Sequence, residues 1–90
     1  MAATIEDIWA RVKSYEGTEF RTKTGRPFEF DVVGNSIKPR HTDRIISKAN
    51  FEKILGHLPI DGPGEISNLV QGSAYVWAIL HDPRIRHDDW

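Results

Sequence analysis

Ninety residues with a formal net charge of −1 and no cysteine describe one domain, 1–90, built without disulfide staples. That balance gives no general pull toward nucleic acid or anionic lipid, and no apolar run approaches the length of a membrane span. A core this small must lean on large side chains, which three Trp, two Tyr and four Phe supply.

In chain order, the first signal is a helix over Ile5–Tyr15. Thr4 can cap it, with Asp7 three residues on in a variant of the capping box. Ile5, Ile8, Trp9 and Val12 then recur at helical spacing as one apolar stripe. Glu6 and Asp7 at its start and Arg11 and Lys13 near its end complement the helix dipole, and Gly17 is a suitable stop.

Residues 19–40 read as a three-stranded antiparallel meander. In Glu19–Thr24 and Phe28–Val33 a period of two places Phe20, Thr22, Phe28, Phe30 and Val32 on one face and charged side chains on the other. A loop of Gly25-Arg26-Pro27 would set Phe20 opposite Val32, Lys23 opposite Glu29 and Arg21 opposite Asp31. The alternation argues strongly for this register; its weak point is turn chemistry, because three-residue hairpin loops prefer glycine late and here it comes first. Gly34-Asn35 suits a two-residue primed turn, pairing Val33 with Ser36, Val32 with Ile37, Asp31 with Lys38 and Glu29 with Arg40. Pro39 would make the third strand an edge at that point. Arg44-Ile45-Ile46 is extended and a candidate fourth strand.

Ser47 is a good N-cap for a helix over Lys48–His57, which Pro59 ends. Two Pro and two Gly within Pro59–Gly64 mark a rigid loop. Glu65–Gln71 reads as a short helical segment. Ser73–His81, capped by Ser73 and stopped by Asp82-Pro83, reads as a helix that is apolar nearly all round. Such a helix is central to a core or covered by a partner. Pro83–Trp90 is a charged tail apart from Ile85 and Trp90. The expected class is therefore α+β: an N-terminal helix, a three- to four-stranded antiparallel meander and two C-terminal helices, in the order α-β-β-β-(β)-α-α.

The functional signals are negative first. There is no G-x-S-x-G elbow, H-E-x-x-H motif, EF-hand loop or Walker pattern, and Pro63 and Glu65 spoil Gly62–Glu65 as a phosphate cradle. His81-Asp82 and His87-Asp88-Asp89 lack the spacing of a metal site. No catalytic residue, metal or cofactor is expected, and the reading is not an enzyme. Between Thr18 and Lys48 seven basic residues oppose four acids. The meander registers match four of the seven, leaving Arg26, Arg44 and Lys48, joined by His41, as a candidate patch for a charged ligand. Tyr75, Trp77 and Trp90 are candidate interface anchors. The favoured function is a small non-enzymatic interaction module acting through protein–protein contacts or self-association, with a homodimer as one form. The alternative is a nucleic-acid-binding module using the unpaired basic residues. No membrane partner is expected, and the cytoplasm is the expected location, since the N-terminus lacks a signal peptide's order.

Overall fold

The computed structural model describes residues 4–90 and has an α+β fold. The helix α1 (Ile5–Ser14) begins with the full capping box. The Thr4 hydroxyl accepts the Asp7 amide, and the Asp7 carboxylate accepts the Thr4 amide, both at 3.2 Å. Ile8, Trp9 and Val12 are buried, as the stripe predicts.

Four short strands follow: β1 (Phe20–Arg21), β2 (Pro27–Phe28), β3 (Phe30–Val33) and β4 (Ser36–Pro39). A fifth, β5 (Ile46–Ser47), completes two separate antiparallel sheets, β1-β2 and β3-β4-β5. The β3-β4 register matches the sequence expectation residue for residue, from Phe30 opposite Pro39 to Val33 opposite Ser36. Pro39 sits where its missing N–H would face β5, and β5 pairs only as far as Ile37.

The first hairpin differs from the charge-pairing register. Phe20 lies opposite Phe28 and Arg21 opposite Pro27. The Thr22 amide donates to the Arg26 carbonyl at 3.0 Å, so the three-residue loop is Lys23-Thr24-Gly25. Gly25 now comes last, at φ +89°, where the left-handed conformation of such loops is required. Turn chemistry therefore outweighs the cross-strand ion pairs, each worth only ~0.2–1 kcal/mol when exposed. The shift moves each partner by an even number of positions, so no side chain changes face and Phe20, Phe28 and Phe30 stay in the core. The pairs Arg21–Asp31 and Lys23–Glu29 are lost. Arg21 turns to Glu19 at 3.1 Å, and Arg40 reaches Asp31 at 2.9 Å and Glu29 at 3.7 Å.

The outer edge of β3 is also occupied. The Gly17 amide donates to the Phe30 carbonyl at 3.0 Å, and the Val32 amide donates to the Glu16 carboxylate at 2.7 Å. The exit of α1 stands where a longer first strand would lie. This is why the meander divides into two sheets.

The helix α2 (Lys48–Leu55) starts at Ser47, whose hydroxyl accepts the Asn50 amide. Of the short helix expected over Glu65–Gln71, a 3₁₀ turn at Pro63–Glu65 and further turns are what forms. The helix α3 (Ser73–Leu80) buries Val76, Ala78, Ile79 and Leu80 in the centre of the fold. Gly72, at φ +70°, is its N-cap, so Ser73 is its first residue and does not cap it. Asp82-Pro83 stops α3 and also starts α4 (Pro83–Arg86), because Asp82 caps the new helix by accepting the Arg84 amide at 2.9 Å. The tail is docked: Arg11 donates to the Ile85 carbonyl at 2.8 Å and to Asp89 at 2.6 Å, and the Trp90 indole donates to the Leu80 carbonyl at 2.9 Å. Among the described residues no helix is long and apolar enough to cross a membrane.

Replacing Gly25 with Ala forces a side chain into the left-handed region at a place where nothing lies within 4 Å of the new Cβ. The loss is then backbone strain alone, about 1–2 kcal/mol. Gly64, equally open but without positive φ, is the control and should change by less than about 0.5 kcal/mol. Urea unfolding of the two Ala variants checks this.

Candidate functional site

A groove of about 440 Å³ runs between β1 with its hairpin loop and the α3–α4 corner. Glu19, Arg21, Thr22 and Lys23 form one wall, and Trp77, Ala78, His81, Asp82 and Arg84 form the other. The hairpin geometry explains what β1 presents. Its ladder bonds run through Thr22–Arg26 and Phe20–Phe28, and Arg21 faces Pro27, which has no N–H to give. The Arg21 amide and carbonyl therefore point away from β2, to the side on which Arg84 already takes the Glu19 carbonyl at 2.9 Å.

Arg84 holds that corner together. Its guanidinium bonds both Asp82 oxygens at 2.9 Å and lies 4.2 Å from the Phe20 ring centroid and 5.4 Å from that of Tyr15. Burial would push the Asp82 carboxyl up, but the side-chain and backbone hydrogen bonds from Arg84 outweigh it and hold the group below its usual range. The same pair keeps Arg84 charged at any pH in use.

His81 and Trp77 form the rest of the wall. Their rings stack at 4.9 Å with 13° between planes. The Ile60 amide donates to His81 Nε2 at 3.3 Å, so the ring proton is on Nδ1, which donates to the Trp77 carbonyl at 3.1 Å. Burial, with a smaller contribution from Arg86, pushes the imidazolium's pKa below its ordinary value, and the bond to Trp77 only partly opposes this. With both nitrogens engaged, this imidazole is neither a free base nor a free metal ligand. Among the described residues no group of three or more His, Asp or Glu is placed to hold a metal.

The residues singled out from the sequence separate into places. Arg26 lines a small depression of about 180 Å³ with Lys23 and Tyr75. Arg44 lines another, with Asp43, Gln71 and Tyr75. Tyr75 is thus a common wall between two arginines that are 18 positions apart in sequence and, among the described residues, make no ion pair. His41 is exposed in the turn after β4. Lys48 is not free, because it pairs with Glu6 of α1 at 2.8 Å, and the depression it lines is walled by the start of α1. Tyr75, Trp77 and Trp90 are all half-buried against the core. Tyr75 meets Phe28 edge-on at 4.9 Å, and the Trp77 indole donates to the Ile60 carbonyl at 3.2 Å. Sequence reasoning missed Arg84 and weighed His81 as a metal ligand, not as a partner of Ile60. The Asp-Pro-Arg run signals the first, since an N-cap Asp followed by Pro opens a helix; no local signal marks the second.

The chain matches no family model, and neither a curated protein nor a solved structure matches it.

Arg84→Lys keeps the charge but loses the two-pronged contact with Asp82 and the stacking on Phe20. It should cost about 1–2 kcal/mol, read by urea unfolding, and should release the protection of the amides in α4 in hydrogen exchange.

Proposed function

We propose that the protein is a non-enzymatic interaction module that takes an extended segment of a protein partner along the outer side of β1. The single observation supporting this reading is the Arg21 amide and carbonyl, unpaired among the described residues and facing an open groove. An added strand exchanges two main-chain hydrogen bonds with Arg21, and its alternate side chains fall on opposite faces. One set meets Ala78 and Trp77. The other lies beside Arg21 and Lys23 on the solvent side. Within the groove Arg84 is bound to Asp82 and Arg21 to Glu19, whereas Lys23 pairs with no carboxylate among the described residues: it donates to the Asp61 carbonyl at 2.6 Å and lies 6.0 Å from the Trp77 ring centroid. The charge left over is positive, which favours acidic residues on the solvent side of the partner segment. A second copy of the chain, offering its own β1, is the competing occupant of the same edge.

A peptide selected by display against the protein tests this reading. Arg21→Pro removes the outward amide without touching a ladder bond and should weaken the peptide at least about tenfold. Arg44→Ala should leave it unchanged. Equal binding by the Arg21→Pro variant overturns the reading. Light scattering coupled to size exclusion separates the second copy: a monomer at high micromolar concentration removes it.

One observation favours a nucleic-acid reading as the runner-up: Arg26 and Arg44 flank Tyr75, an arrangement suited to a stacked base with a phosphate on either side. Single-stranded DNA and RNA should then bind most tightly at ~50 mM salt and weaken steeply as salt rises. Absence of binding at that salt ends this reading.

A further inference from the structure

The Ile60–Asp61 segment does not itself line the groove, but it is fastened to three side chains that do: His81, Trp77 and Lys23. Both backbone groups of Ile60 are held by side chains one helical turn apart: its amide by His81 Nε2 at 3.3 Å and its carbonyl by Trp77 Nε1 at 3.2 Å. The next residue is held from the opposite wall, by Lys23 on the Asp61 carbonyl at 2.6 Å. Of these three fastenings, only the one through His81 involves a group whose unperturbed proton affinity lies near neutrality.

We infer that His81 is a proton-operated latch on the groove: neutral, it fastens Ile60 to α3, and protonated, it releases the Ile60–Asp61 segment and alters what the groove can hold. The chemistry follows from the two ring nitrogens. Nδ1 already carries a proton and gives it to the Trp77 carbonyl, so an added proton must go to Nε2. Nε2 then becomes a donor facing the N–H of Ile60, and an attraction becomes a repulsion. The ring itself need not leave, since the face of Trp77 accepts a cation and the Nδ1 bond persists. Only the tether is lost.

The surrounding charges do not relieve the ring once it is protonated. Arg86 on α4 and the groove cations Arg21, Lys23 and Arg84 oppose a further positive charge. Glu19 and Asp82 are engaged by Arg21 and Arg84. In the loop, the Glu65 carboxylate accepts the Asp61 amide at 2.7 Å, and among the described residues no carboxylate bonds the imidazole. Burial and Arg86 lower the folded-state pKa below the unfolded value of ~6.5. The unfolded or unlatched chain therefore binds the proton first. The latch contributes in full above about pH 6.5 and is lost as pH falls from there through the folded value.

The effect on a partner rests on the groove reading above; the latch itself does not. Exchange of the Ile60 and Asp61 amides, followed by NMR with the His81 ring signals, reads the latch without any partner. Corrected for the intrinsic pH dependence of exchange, protection of the Ile60 amide should fall at least about tenfold as the His81 ring titrates. In His81→Gln the side-chain oxygen accepts the Ile60 amide at every pH, so the dependence should vanish. The exposed His57→Gln variant should retain it. Unchanged Ile60 protection while His81 titrates overturns the latch, as does full pH dependence in His81→Gln. A displayed peptide that binds the groove should change affinity across the same pH range in the wild type and not in His81→Gln. Amide release with constant peptide affinity overturns control of the groove. A failure to find any groove-binding peptide overturns the groove reading alone, since the amide readout needs none.

Discussion

Two backbone groups on the outer edge of β3, the Phe30 carbonyl and the Val32 amide, constrain everything around them. Both are satisfied by the exit of α1, through the Gly17 amide and the Glu16 carboxylate. A strand edge must be paired, covered or solvated, and here it is covered by the residues that end a helix. The first strand cannot lie there. It pairs with β2 alone, and its other side is left facing α3. The free edge and the division into two sheets are thus one fact seen from two sides.

How much of this is legible in the sequence depends on how local the signal is. The capping box at Thr4 and Asp7, the Gly34-Asn35 hairpin and the Ser47 cap are settled by residues within four positions of one another, and each is found as read. The first hairpin tests two local rules against each other. Cross-strand charge points to a loop of Gly25-Arg26-Pro27, whereas the loop that forms, Lys23-Thr24-Gly25, puts the glycine last, and strain at a left-handed residue outweighs exposed ion pairs. The alternating pattern fixes faces but not which of two even-shifted registers is used, so the core could be named correctly with the wrong partners. Nothing local could show that Glu6 would neutralise Lys48 or that Ile60 would meet His81, 21 positions away.

The aromatic residues show why a structural role and a surface role are hard to tell apart in a small domain. Trp77 packs on the core, tethers Ile60 and still forms part of the groove wall. Tyr75 packs its ring against Phe28 and still separates the depressions of Arg26 and Arg44. With so little interior available, half-buried side chains must serve both the inside and the outside. A substitution that removes one contact therefore disturbs the other, and main-chain changes such as a proline at an unpaired edge separate the roles more cleanly.

The bonds from Arg11 to Ile85 and Asp89 join positions 74 and 78 residues apart. A chain synthesised from its N-terminus finishes α1 long before those partners exist. Until they arrive, the Arg11 side chain must remain in water and the side of α1 that meets α4 is unfilled. Closing so long a loop costs entropy that grows only slowly with length, about 0.6 kcal/mol for each doubling, so the cost is mainly one of timing. On a ribosome the domain would reach its final packing only when the last few residues are clear of the exit tunnel. The side of α1 that meets α4 would spend that interval open to whatever lies nearby.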